Sequence, residues 1–420
     1  MGQDRPVSAD ALRRRLRAYD WAMGGRRVAF AAVCGVLCGL ANTVLCLTVS
    51  WAGDVWRAWP WLSAALPAIG ALEVALFRRA RVTMDLRPGF NGLMKDMGAD
   101  RRFPTREGPV VLAGTLMSLA GGAPVGPDSA AKHLGASVGA AVLPWFSIDD
   151  DNGEPAYDWA VACGLSACFS ALLCAPLGVF AYLVEHLRAH GTTVRHLPTV
   201  LLSCFVAAGF ARPMDLQIHT PFVGARTLTG PDLWGAVAVA MAAAVAGSCF
   251  VAGVHGLERV RKRMGRSPMR CLVAGGAVVG AALLLVPGLI RWGGLGTGLV
   301  VPVLRDAQGG WGFALKLALT VTCLGFGLRG GEVTPMFVIG ALMGSSVAAT
   351  VGADPLVTGA LAMVSLYAVA LGSPVSGVLV GCEFFGWGFA PWLVPTVAAA
   401  WAGRLALEGA LTAALAQRRR

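Results

Sequence analysis

Asp128 and Glu332 are carboxylates in unusual company. Each stands just after a glycine-rich break and just before an apolar run. Asp128 lies in "GGAPVGPDSAAKHLGASVG" (121–139) and Glu332 in "GLRGGEVTPMFVIGALMG" (327–344). The glycines let backbone come close to a ligand. Pro127 and Pro335 suit a first helical turn, where a missing N–H is no loss. A helix start offers free N–H groups and partial positive charge, and so can hold an anion without a full buried cation. A carboxylate placed there is itself an anion. It can block the site, be displaced by a permeating ion, or take up a proton. The plainer role is a helix cap, stabilising by about 1 kcal/mol. Lys132 follows Asp128 by four residues, so the two share a helix face and can pair. His133 is next to it. A lysine and a histidine one turn into an apolar helix either line an aqueous path or face a polar edge; the path is the preferred reading.

The elements that must carry these residues are apolar. The 420 residues are 56% hydrophobic and 14% charged, against about 25% charged in soluble domains. Long apolar stretches cover 28–53, 159–184, 271–290 and 356–371, and Leu233 to Gly256 holds no Asp, Glu, Lys or Arg. Such a run can span a hydrocarbon core of roughly 30 Å as a helix. A large soluble helical protein could not hide so many uncharged helices. An acid at the centre of a membrane helix costs roughly 2.5–3.5 kcal/mol on insertion scales, which favours a functional role for Asp128 and Glu332 over a simple cap. The expected architecture is an all-α polytopic membrane protein.

The first 26 residues are polar and Arg-rich and contain no apolar core with a cleavage site, so no secretory leader is expected. Positive charge beside spans marks the cytoplasmic side. The N-terminal segment 1–26, the basic linker "ERVRKRMGRSPMR" (258–270) and the basic tail 417–420 are therefore all assigned to the cytoplasm, with the chain in the inner cell membrane. The net charge of +11 reflects that orientation and is no nucleic-acid footprint, since no aromatics are interleaved. Eleven cysteines lie singly in or beside apolar segments, with no C-x-x-C and no histidine pair at ligand spacing. They read as small hydrophobes, and no metal, cofactor or disulfide framework is expected.

The linker divides the chain into halves, 27–257 and 271–416, that echo each other. Glycines 122, 126, 135 and 139 are in register with 327, 331, 340 and 344 at an offset of 205. "CAPLGVFAYLVEH" places Glu185 nine residues after Pro176, and "GSPVSGVLVGCEF" places Glu383 nine after Pro374, at an offset of 198. About seven extra loop residues in the first half, within "DDDNGEPAYD", account for the change. Two similar halves, each with an interrupted span, point to transporter architecture with a site where the broken helices meet. Periodicity alone leaves open whether the repeats are parallel or inverted.

At these residues the sequence resembles the CLC family of chloride channels and proton-coupled anion transporters, over about 27–415. "GGEVTPMFVIGALMG" is similar to the second-half signature, and "GGAPVGPDSAAKHLGASVG" takes the place of the first. The resemblance implies an inverted repeat of tilted and broken transmembrane helices, a homodimer with one pathway per subunit, and anion sites made by helix starts. Carried over, it makes Asp128 the gating acid and gives the backbone of Ser129, Ala130 and Val333 to the anion. G-G-E-V-T-P is closest to the fluoride-exporting branch, which implies that Glu332 and Thr334 belong to the pathway and that Phe90 and Asn91, in "PGFNGLMKDM", form an aromatic–Asn anion contact. The first signature departs from the family pattern: Pro127 stands for a basic residue, and Asp128 for Glu. The pore tyrosine of the last helix is not evident, and Glu408 stands roughly at its place. The expected function is transmembrane halide transport, fluoride or chloride, as a channel or a proton-coupled antiporter. The alternatives are an uncoupled chloride channel and a membrane protein of this fold that has lost transport. An intramembrane enzyme built on Glu332 with His133 or His186 is the rival class. The chain has no G-x-S-x-G and no H-E-x-x-H to support it.

Overall fold

The computed structural model describes residues 21–86, 103–148, 156–190, 194, 196–214, 221–265 and 267–417. The first half supplies α1 (Trp21–Ala58), α2 (Leu66–Arg79), α3 (Glu107–Ala120), α4 (Asp128–Val142), α5 (Ala156–Leu173), α6 (Pro176–His190) and α7 (Leu197–Ala211). The second supplies α8 (Gly230–Arg263), α9 (Pro268–Leu285), α10 (Val300–Arg305), α11 (Gly312–Phe326), α12 (Val333–Val351), α13 (Pro355–Leu371), α14 (Pro374–Phe385) and α15 (Ala390–Gln417).

Proline sets several of these boundaries. The apolar run 159–184 reads as one span, but it folds as most of α5 and the first part of α6. Pro176 has no N–H to continue a helix and its ring clashes with the preceding turn. Cys174 turns the chain there with φ of 50°. The matching break before Pro374 uses Gly372, φ 73°. The run 271–290 ends earlier than its composition suggests, with α9 stopping at Leu285. Most of the basic segment 258–270 belongs to helix ends, because α8 runs on to Arg263 and α9 begins at Pro268.

Seven stretches among the described residues are long and apolar enough to cross a bilayer, including α5, α8, α9 and α12. They differ in what covers them. The apolar side chains of α5, α12 and α13 are almost all buried. By contrast α1 exposes Val36, Leu40, Val44 and Leu47, and α8 exposes Trp234, Val237, Met241 and Val245. Contiguous apolar faces of that size mark contact with lipid or protein rather than water. The arrangement is therefore an inner layer of helices walled from the bilayer by an outer one.

Small residues let the inner helices touch at backbone distance. A Cβ at Gly135 would fall 2.2 Å from the Gly164 carbonyl oxygen, and one at Gly139 would fall 2.1 Å from that of Ala160. In the second half a Cβ at Gly340 would fall 2.5 Å from Met363 Cα, and one at Gly344 would fall 2.4 Å from the Thr358 oxygen. The α4–α5 and α12–α13 contacts thus occupy equivalent positions of the two repeats, with the approach that small-xxx-small spacing permits.

The halves also complete each other. Both carboxylate oxygens of Glu383 accept the free amides of α6, from Leu177 and Gly178, at 2.9 Å each. Glu185 accepts those of α14, from Val375 at 2.9 Å and Ser376 at 3.1 Å. The Ser376 hydroxyl donates to the Gly178 carbonyl at 2.7 Å. Each helix start in this pair is capped by the acid at the other helix's end, where charge also complements the dipole. Glu383→Ala leaves two amides of α6 without their acceptor. It is expected to lower stability by about 1–2 kcal/mol, read as a lower unfolding temperature in detergent, with Glu185→Ala showing a similar loss.

Candidate functional site

The two broken segments meet head to head. Gly122 and Gly327, equivalent by the 205-residue offset, both take positive φ, 81° and 94°, which glycine alone adopts without strain. They end α3 and α11 and turn the chain toward the partner break. There Gly126 N–H donates to the Gly331 carbonyl at 2.7 Å, and Gly331 N–H donates to the Gly126 carbonyl at 2.6 Å. The bridge is antiparallel, so the chains leave it in opposite directions, as an inverted repeat requires. Immediately beyond it α4 and α12 begin.

Asp128 lies across this junction. Its Oδ1 accepts the Val333 N–H at 3.2 Å, again between residues related by 205 positions. The carboxylate rests on Gly331, where a Cβ would fall 2.1 Å from it. Its Oδ2 has no hydrogen-bond partner among the described residues and lies 3.6 Å from Lys132 Nζ. Asp128, Ala130, Lys132, Val333 and Thr334 are all buried, and Glu332, at the start of α12, is 8% exposed. Ser129 is half-buried in the first turn of α4. Lys132 and Asp128 both act electrostatically on Glu332. The structure therefore brings Asp128, Lys132, Glu332, Val333 and Thr334 together.

Other candidates lie elsewhere. His133 turns toward α3, with Nδ1 2.9 Å from Glu107 Oε1. Glu408 is on an exposed part of α15, 2.7 Å from Arg404 Nε, and is not part of the buried cluster. Phe90 and Asn91 lie outside the described residues.

A cavity of about 530 Å³ reaches down to Pro127 and Thr334. Its walls include Val49 and Trp56 of α1, Leu172 of α5 and the segment 293–299, and Arg57 and Arg291 also line it. Arg57 is paired with Asp54, and Arg291 adds a positive charge to the wall that favours anions there. Lys316 of α11, fully buried, donates to the carbonyls of Trp292 at 3.2 Å and Gly294 at 3.0 Å. Gly294 N–H in turn donates to the Gly122 carbonyl at 2.7 Å. The funnel wall is thereby tied to the break it leads to.

A buried carboxylate supports the α12 side. Glu73 of α2 is wholly buried and accepts from the Ser118 hydroxyl at 2.6 Å and from Arg329 N–H at 3.4 Å. The Arg329 guanidinium stacks over Phe77 at 4.7 Å and donates to the Asp85 carbonyl. This network holds the chain three residues before Glu332. Sequence reasoning missed Glu73 and Lys316, although each is a lone charge in an apolar helix, in "LPAIGALEVALFRR" and "GFALKLALTVTCLGF". That signal was available. Tyr182, which meets Lys132 at 3.5 Å, carried none.

Fold and site together define a polytopic membrane protein in which two broken helices face each other across a buried, electropositive junction. The family model for the voltage gated chloride channel matches residues 89–404, and the chain belongs to that family. It is a transmembrane anion transport protein of the channel and antiporter kind. A chloride/fluoride channel protein of Pseudomonas syringae pv. tomato is 26% identical over 377 residues, which cover 87% of this chain and 81% of that protein. Among solved structures, a CLC-type fluoride/proton antiporter superposes with a TM-score of 0.77 at 23% identity, covering 94% of this chain and 96% of its own. A slow cyanobacterial Cl−/H+ antiporter gives 0.75 at 20% identity, covering 94% and 99%. At those identities the solved structures speak for the fold.

Two outcomes test the geometry. Gly331→Ala puts a methyl group where the Asp128 carboxylate lies and is expected to evict it. Anion flux in liposomes should rise, and adding Asp128→Ala should then change it little. Glu73→Ala leaves the Ser118 hydroxyl and the Arg329 N–H without their acceptor. A loss of about 1–3 kcal/mol is expected, read as a lower unfolding temperature than that of Glu73→Gln.

Proposed function

We infer that this protein carries a small halide, fluoride or chloride, across the membrane through the junction of α4 and α12, with Asp128 as the gate. One observation carries the reading: the Asp128 carboxylate accepts the Val333 amide at 3.2 Å inside the junction. A carboxylate oxygen there stands in for an anion and marks where a permeating one can rest. Its displacement opens the path between the funnel at Pro127 and Thr334 and the inner side of α4. Ser129, Ala130 and Val333 offer backbone amides to the ion. Glu332 and Thr334 flank it.

Fluoride is the favoured ion, in exchange for protons. The G-G-E-V-T-P signature supports this choice, as do the similarity to a protein named as a chloride/fluoride channel and the likeness of fold to a fluoride/proton antiporter. We further place both termini and the basic ends of α8 and α9 in the cytoplasm of the inner membrane, by the positive-inside rule, with the funnel on the outer side. The unit is a homodimer with one pathway per subunit, and α6, α7, α14 and α15, which pack on one another, present Phe205, Val375 and Val394 exposed for that contact. No catalytic chemistry is assigned to the site.

The test is flux from proteoliposomes loaded with fluoride or chloride, with external pH recorded. The expected result is halide efflux with opposed proton movement, altered in both rate and proton movement by Asp128→Ala. An unchanged rate and proton trace in that variant would remove the gate from Asp128. Efflux with a flat pH trace identifies the uncoupled channel instead.

A further inference from the structure

We propose that Lys132, together with the Tyr182 hydroxyl, is itself an anion ligand of the pathway: the halide that displaces the Asp128 carboxylate takes over that carboxylate's place as counter-ion to the lysine. The proposal rests on the halide-transport reading above.

The ammonium is fixed and enclosed. Lys132 is 2% exposed, one helical turn along α4 from Asp128. An ammonium has three donors, yet among the described residues its closest polar partners are the Tyr182 hydroxyl at 3.5 Å and Asp128 Oδ2 at 3.6 Å. Charge-assisted hydrogen bonds run about 2.7–2.9 Å. The ring faces of Phe169 and Tyr182, at 4.9 and 5.1 Å, supply the rest of its surroundings. On the other side of the gap, Asp128 Oδ2 is buried with no hydrogen-bond donor among the described residues. Cation and anion are thus paired but loosely bonded, each with unused capacity directed at the other.

This looseness has a mechanical meaning. An anion cannot pass the junction while the carboxylate occupies it, so Asp128 must move. Lys132 cannot follow, being walled in by two aromatic rings. Once the carboxylate has gone, the ammonium lies in a low-dielectric interior with no full negative charge at contact distance, an arrangement strongly disfavoured. Glu332 is the other carboxylate acting on this cluster, and His186 is a neighbour without negative charge, its ring tilted against Tyr182 at 4.1 Å between centroids. A halide entering next to Lys132 restores neutrality and can also accept the Tyr182 O–H. Halide binding and carboxylate release are therefore coupled through one charge. Tyr182 is held for the task by His186 and by edge contact with Phe169 at 5.5 Å.

The test uses purified full-length protein and measures fluoride and chloride affinity by calorimetry in detergent. Asp128→Asn removes the competing carboxylate and leaves the lysine, so halide affinity should rise above that of the native protein. The double variant Asp128→Asn/Lys132→Met removes both charges together, which spares the fold an unpaired buried ion. Its affinity should fall about tenfold or more below that of Asp128→Asn, the scale of a hydrogen bond to a charged group. Asp128→Asn/Lys132→Arg should recover part of it, and Asp128→Asn/Tyr182→Phe should show a smaller loss. Equal affinities in Asp128→Asn and Asp128→Asn/Lys132→Met would overturn the proposal. Halide flux by the native protein, measured in parallel, separates the cases: flux with equal affinities removes only the lysine's role, whereas absent flux removes the transport reading beneath it.

Discussion

Two glycines exchanging backbone hydrogen bonds, Gly126 and Gly331, are the constraint on which the remainder of the molecule depends. Backbone that leaves a helix inside a bilayer exposes amides and carbonyls to a medium that cannot satisfy them. The two breaks solve the problem for each other: each supplies one donor and one acceptor. The amides that remain free beyond the bridge, at the starts of α4 and α12, are then concentrated at one place. That concentration creates the electropositive junction, and Asp128 partly fills it.

Everything around the junction keeps those two starts in register. The close approaches of α4 on α5 and of α12 on α13 depend on glycines that leave no room for a Cβ. The crossed carboxylate caps of Glu185 and Glu383 bind α6 to α14. The Glu73–Arg329 network holds one break, and Lys316 with its two carbonyls holds the funnel wall to the other. Buried charges contribute less to stability than their number suggests. Here they are used for position, in loops that hydrophobic contact alone would leave free to shift.

Much of this was legible before any coordinates. The register of glycines at 205 residues and of Pro…Glu pairs at 198 corresponds to physical contact: Gly126 with Gly331, Asp128 with Val333, Gly178 with Ser376. Internal repetition is readable because symmetry-related residues meet at the axis that relates them. The pairing of Asp128 with Lys132 followed from helix geometry, being local. What escaped was non-local. Glu73 and Arg329 are 256 residues apart, and no pattern within either helix announces the other. Tyr182 sits mid-helix among apolar residues, and only the packing of α6 on α5 turns it to Lys132. The single run 159–184 hid a break because hydropathy does not register one proline and one left-handed cysteine. Glu408 stands roughly where the resemblance puts the pore tyrosine of the last helix, and it lies on an exposed helix beside Arg404.

The reciprocity of the Glu185 and Glu383 caps bears on how such a chain could arise. A protein of half this length, assembling as a pair of identical copies, would satisfy every one of these crossed contacts twice over, and its two glycine breaks would meet on a true axis. Joining the copies into one polypeptide loses none of that bonding and frees the two sides to diverge. Position 128 could then become an acid while its counterpart, position 333, kept only its amide. Asp128, Lys132 and Glu332 meet Val333, Phe337 and Pro127 at the related positions, and such inequalities are what give the pathway two unlike sides.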